Sequence, residues 1–283
     1  MIAILTDSTC DIPEDLIEAY KIFVVPHVIV WGDEQYRDRV DLQPVEFYER
    51  LEKDPERPTT AQASEGDFLA AIQKAITEQG ATEAVVLTLS SAMSGAYDMA
   101  LAAANEADIP VSVVDSKGPT MSLGWQVLAA ARARDEGGSR EEIVKAAEKV
   151  RNNVVQFVAL DTLEYLQYGG RIGDAVNWVG NILKVKPLVT INHELGRVQP
   201  AGLSRTHGAV VKLLYKKFTE QVAEGGKLHI AVLHGNMLEE AQELVDKVRE
   251  ELDPVELLVN ITGPVLGIHT GPRTLALCGY AEA

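Results

Sequence analysis

Ala84-Val85-Val86-Leu87-Thr88-Leu89 runs directly into Ser90-Ser91-Ala92-Met93-Ser94-Gly95, and then into an alanine-rich stretch ending near Ala107. An apolar and β-branched run without alternation reads as a strand covered on both faces, the kind found in parallel sheets. The hydroxyl- and glycine-bearing stretch reads as a turn, and the alanines as the crossover helix that parallel pairing requires.

The same alternation extends in both directions. Ile2 to Thr6 reads as a strand, and Asp11 as the cap of a helix with Pro13, Glu14 and Asp15 in its first turn. Ile22 to Trp31 reads as one second strand, Gly32 to Asp41 as a loop, and Pro44 to Lys53 as a short helix. Ser64 and Asp67 have capping-box spacing ahead of an apolar face of Phe68, Leu69, Ile72 and Ile76. Val111 to Val114 is a further strand, and two helices follow, the second capped by Ser139 with Glu142. The charged stretch from Gly137 to Asn153 is the expected boundary, giving lobes of residues 1–152 and 153–283.

Beyond it come a strand from Val154 to Leu160 and the glycine-rich Gly169-Gly170-Arg171-Ile172-Gly173. A strand pair around Val185 to Ile191 and Arg197 to Leu203, a long helix, and a strand at His229 to Leu233 follow. Asn236 is placed to cap the next helix, ahead of a strand from Val255 to Ile261. Ile268-His269-Thr270-Gly271-Pro272 reads as a loop, with an apolar tail after it. The expected fold class is therefore α/β, in two lobes, with a parallel sheet in the first.

Charge and composition exclude several functions. Forty-two acidic and 26 basic residues give a net charge of -16, which disfavours nucleic acid and anionic membrane surfaces as partners. No apolar run approaches the roughly 20 residues of a membrane span, so stable membrane insertion is not expected. Cys10 and Cys278 match no metal or redox spacing and read as reduced thiols of a cytoplasmic protein. His27, His193, His207, His229 and His234 show no zinc-type spacing, so no metal is expected. Neither a Walker A sequence nor G-x-G-x-x-G occurs, so no nucleotide cofactor is expected.

Hydroxyls gather where strands hand over to helices: Ser8, Thr9, Thr59, Thr60, Ser64, Ser90, Ser91, Ser94 and Ser116. Ligands of open α/β sheets bind at those strand ends, where helix N-termini favour anions. Each hydroxyl taken alone is more readily a helix cap, Ser64 above all. His269, among turn residues and beside Thr270, is placed to donate to an anion. Ser94 also sits in a strand–turn–helix setting close to a nucleophile elbow, with Asp115 or Asp161 and His269 in triad order. A serine hydrolase using Ser94 and His269 is thus the alternative, although Ala92 and Ala96 stand where the elbow has glycines. Arg171 and Arg205 read equally as anion clamps or as solvated surface residues.

The motifs taken together resemble the DegV family of bacterial fatty-acid-binding proteins. Asp7-Ser-Thr-Cys-Asp-Ile-Pro13 is similar to its opening motif. Thr60-Ala-Gln-Ala-Ser64 is similar to T-S-Q-P-S, and Ser90-Ser-Ala-Met-Ser-Gly-Ala96 to S-S-x-L-S-G-T, with Ala61, Ala63 and Ala96 as departures. Asp115-Ser116, Gly169-Gly-Arg-Ile172, Lys186-Pro187, Ser204-Arg-Thr206 and His269-Thr-Gly-Pro272 follow in family order.

The resemblance implies a Rossmann-like N-terminal lobe, an α/β C-terminal lobe and one long-chain fatty acid buried between them. It implies that the carboxylate meets Thr60, Ser94 and His269, with Ser91 and Thr270 as additional contacts. It further implies a carrier with no catalysis of its own. A separate ATP-binding kinase subunit phosphorylates the bound acid to an acyl-phosphate for phospholipid synthesis, with Arg171 and Arg205 facing that subunit or the phosphate.

Overall fold

The computed structural model describes residues 1–178, 185–222 and 226–282. Ile2–Asp7 and Glu83–Thr88 are the two inner strands of a four-stranded sheet, flanked by Phe23–Val25 and Val111–Asp115, all pairings parallel. The run Ala84 to Leu87 is fully buried, as its unbroken apolar character requires. The crossover helices Glu65–Gln79 and Ala96–Glu106 follow, the first with both halves of the Ser64–Asp67 capping box formed.

The second sheet has six strands in the order Arg197–Ser204, Lys186–Asn192, Val155–Ala159, Leu275–Glu282, Lys227–His234, Glu256–Ile261, mixed in direction. The segment expected as an apolar tail is therefore an inner strand. Alternation sorts its faces. Phe157, Ala159, Leu188 and Leu277 pack under the helices His207–Gln221 and Leu238–Leu252. Val158, Leu160, Val189, Leu233 and Ala276 face the first sheet. Helix Met121–Asp135 is buried on nearly every side and touches strands of both sheets, which explains its lack of a polar face. Its Trp125 indole donates to the Cys278 carbonyl at 3.2 Å.

Several sequence expectations are corrected. Ile22 to Trp31 is two strands in different sheets, because Pro26 offers no N–H and the His27 N–H donates to Ser8 Oγ at 3.1 Å instead of to a ladder. Gly32 to Asp41 is not wholly loop: Glu34–Arg37 pairs with Val28–Trp31 across a tight turn in which Gly32 has φ +62°. Asp11 does not cap the helix Glu14–Ala19, whose cap residue is Pro13; its carboxylate accepts from Arg39 at 2.6 Å and from the Gly263 N–H at 2.9 Å. Asn236 is in the left-handed region, and Met237 is the cap residue of helix Leu238–Leu252.

A third sheet, Glu34–Arg37, Val28–Trp31 and Thr59–Ala61, is antiparallel. With helix Pro44–Lys53 it buries Ile29, Trp31, Phe47 and Tyr48 against Val265 and Ile268 of helix Pro264–Thr270. Gly267 permits that approach, since a Cβ there would lie 2.5 Å from the Phe47 ring. His269 is consequently on the last turn of a helix, not in a loop.

Candidate functional site

A cavity lies between the parallel sheet and the inner face of the six-stranded sheet, with about 960 Å³ of empty space including its mouth. Apolar side chains of both halves line it, among them Leu89, Met93, Val158, Leu160, Val189 and Leu233. At the mouth it is bordered by Thr60, Ser94, Arg171, His269 and Thr270. Of these, Arg171 is exposed, while the other four are half-buried. A deep apolar space with a few convergent polar groups is the form of a small-ligand site.

Each polar group is positioned by a different element. Thr60 is the middle residue of the short strand Thr59–Ala61, paired with Ile29, and not in a loop as expected. Its Oγ1 is 3.2 Å from His269 Nε2. Ser94 belongs to a turn in which the Met93 and Ser94 N–H groups donate to the Ser90 carbonyl, and its Oγ accepts from the Ala96 N–H at 3.2 Å. Arg171 donates to the Met93 carbonyl at 3.0 Å and the Gly169 carbonyl at 2.8 Å, joining the two turns at the mouth. Thr270 Oγ1 donates to Leu266 O within its own helix.

His269 is held against backbone. A Cβ on Gly169 would lie 2.0 Å from His269 Nδ1, so only glycine fits there. That nitrogen is buried and has no hydrogen-bond partner among the described residues. Burial, reinforced by the Arg171 guanidinium, pushes the imidazole pKa down to about 4. The ring is therefore neutral at neutral pH. In its Nε2–H form it donates to Thr60 Oγ1 and leaves the threonine O–H to donate to an anion.

A hydrolytic triad is not assembled. The Asp115 carboxylate is engaged by Ser91 and Lys117, and that of Asp161 by Lys186. Neither reaches His269, and Ser94 has none of the backbone strain of an elbow, being absent from the positive-φ residues. Ser91, bonded to Asp115, and the exposed Arg205 are outside the cavity lining.

Residue-by-residue reading missed several polar lining residues, among them His27, Thr120 and Gln156. His27, 2% exposed, accepts the Ala63 N–H on Nδ1 at 2.8 Å. Gln156 and Thr120 are hydrogen-bonded to each other deep in the space. A glutamine inside the apolar run Val154 to Leu160 was the available signal. Thr120 has φ +56° and ψ -140°, a conformation costing on the order of 1–3 kcal/mol. Among the described residues no group of metal-ligating side chains occurs, and no helix is long and apolar enough to cross a membrane.

A family described as "Uncharacterised protein, DegV family" matches residues 1–282. The chain belongs to the DegV family. A DegV domain-containing protein of Streptomyces coelicolor is 36% identical over 277 residues, covering 98% of this chain and 97% of that one. Protein DegV of Bacillus subtilis is 32% identical over 281 residues, 98% of each chain. Two solved DegV structures share the fold. The fatty-acid-binding family member from Thermus thermophilus aligns at TM-score 0.89 with 33% identity and 99% of each chain covered. The fatty-acid-binding DegV of Bacillus subtilis aligns at 0.90 with 31% identity and 99% of each chain covered. Fold and family thus agree with the motif resemblance.

Proposed function

We propose that this chain binds one long-chain fatty acid in the cavity and holds its carboxylate on Thr60, Ser94 and His269. The observation that carries the proposal is the Thr60–His269 pair at the mouth of a deep apolar space. Fatty-acid binding by DegV relatives of the same fold supports it. Neutral donors suit this role because they orient a carboxylate without fully neutralising it, so the oxygen stays nucleophilic. Affinity comes mainly from the chain. Burying about 14 methylenes at ~0.8 kcal/mol each gives on the order of 11 kcal/mol before association costs.

The same proposal makes the protein a carrier without catalysis of its own, working in the cytoplasm with a separate ATP-dependent kinase subunit. That subunit phosphorylates the exposed end of the acid to an acyl-phosphate used in phospholipid synthesis. Arg171 at the mouth, and Arg205 on the same lobe, are its contacts or those of the phosphate. Thr270 is an additional carboxylate contact, and Ser91 acts only through the turn that holds Ser94. Two lobes, residues 1–152 and 153–283, enclose the chain.

Native mass spectrometry tests the binding role. A mass corresponding to a fatty acid, lost on denaturation, is expected on the purified protein. Protein that is empty and takes up no added fatty acid would refute it. With ATP and the kinase subunit, the loaded protein should yield a hydroxylamine-trappable acyl-phosphate, and none without either.

A further inference from the structure

Val155–Ala159 points alternate side chains into the cavity, and two of three inward positions from residue 156 to 160 are apolar, Val158 and Leu160. The third is Gln156, which is 1% exposed. Its Nε2 donates to Thr120 Oγ1 at 3.0 Å, while its Oε1 is buried without a partner among the described residues. Turning the amide over leaves the nitrogen without a partner in its place, so one end of the group is always open.

Thr120 is equally unusual. It is the residue before helix Met121–Asp135, where a threonine hydroxyl normally accepts a helix N–H, yet its side chain makes no capping bond. It is instead turned towards Gln156, on a backbone conformation that β-branched residues avoid. Its hydroxyl proton has no acceptor among the described residues with the amide as placed. An acceptor and a donor, 1% and 6% exposed, thus border one spot in a largely apolar space. Gln156 lies four residues, roughly 13 Å of extended chain, before Leu160, which lines the same cavity as Arg171.

We propose that Thr120 and Gln156 form a polar subsite that recognises a hydroxyl group carried on the acyl chain, away from the carboxylate. The proposal rests on the fatty-acid reading of the cavity and names the class of acid: hydroxylated long-chain acids. A hydroxyl both donates and accepts, so it satisfies the Gln156 oxygen and the Thr120 proton together. An unsubstituted chain leaves both without partners.

The test is competitive displacement of a fluorescent fatty acid by hexadecanoic acid and by hexadecanoic acids bearing one hydroxyl at successive positions from mid-chain to the terminal carbon. The native protein should bind at least one hydroxy acid as tightly as hexadecanoic acid or more so. In Gln156→Leu, and separately in Thr120→Val, that preference should shift by about tenfold towards hexadecanoic acid. Thermal melts establish that each variant is folded, and either variant alone suffices. If every hydroxy acid is weaker and the ratio is the same in native and variant proteins, the subsite is refuted. If hexadecanoic acid binds and no hydroxy acid does, only the subsite fails. If no acid binds at all, the fatty-acid reading fails with it.

Discussion

Thr60 and His269 meet at 3.2 Å across 209 residues of sequence, one on a strand of the small antiparallel sheet and the other on the helix that sheet covers. The pair is a preorganised donor at the mouth of the cavity. Replacing His269 by Ala removes the group that orients the threonine hydroxyl. Fatty-acid affinity, measured by calorimetry, should fall by about 1–3 kcal/mol, the scale of a hydrogen bond to a charged group. Unchanged affinity would remove His269 from the site.

In the proposed site Ser94 is the second hydroxyl for the carboxylate, although its oxygen already accepts the Ala96 N–H. Ser94→Ala should weaken carboxylate binding or its phosphorylation by about 1–3 kcal/mol while the melting temperature holds. A fluorophosphonate should leave Ser94 unlabelled in the native protein, since no carboxylate among the described residues reaches His269. Labelling there would revive the hydrolytic alternative.

Gly169 gives a purely steric test. An added methyl would sit 2.0 Å from His269 Nδ1 and forces the ring or the 169–173 turn to move. Gly169→Ala should cost about 1–3 kcal/mol of stability by overpacking and weaken ligand binding as well. Chemical denaturation with and without fatty acid separates the two effects, and native behaviour in both would show that the ring has room to retreat.

Buried and half-buried histidines, His193 and His269 among them, contribute to the acid limb of stability. Burial holds His269 and His193 near pKa 4 in the folded chain, against 6.5 when exposed, with Arg171 adding to the effect at His269. Between those values the unfolded chain binds protons that the folded chain does not. The contribution is complete above pH 6.5 and is lost as pH falls towards 4. Urea unfolding of the ligand-free protein across that window should show the loss, and His193→Gln should flatten it. An equal slope in the variant would count against the burial argument.

Asp38 works in the opposite direction. Burial raises its pKa to about 7 from 3.8, although Arg39 and the Ser8 hydroxyl pull it down. Its contribution is complete below pH 3.8 and is lost as pH rises to about 7. The stability of Asp38→Asn relative to the native protein should therefore improve steadily across that interval. A constant difference would mean that the carboxyl titrates as an exposed one does.

Local periodicity made the strand–turn–helix units legible, because burial on both faces leaves an apolar run and helix Glu65–Gln79 carries its own capping box. The break at Pro26–His27 was not legible, since it depends on a hydrogen bond to Ser8, nineteen residues away. Asp11 looked like a cap because its partner, Arg39, is remote in sequence. The helix bearing His269 is seven residues long between glycines, and packing of Val265 and Ile268 supports it more than propensity does. Thr60, Ser94, Arg171 and His269, which line the cavity, were singled out through the order of motifs. Thr120 and Gln156 escaped because the direction of a side chain is not written in its neighbours.

Residues 28–61 grip both halves of the molecule by different means. Asp38 and Arg39 are tied by Ser8 and Asp11 to the parallel sheet, while Trp31, Phe47 and Tyr48 rest on the helix of the other half. The consequence concerns time. Any exit that parts the two sheets must break the part-buried Asp11–Arg39 ion pair or wet three aromatic rings. An acyl chain held behind this clasp, as proposed, would leave at the pace of the protein's own opening, and cargoes of unequal affinity would share one slow clock.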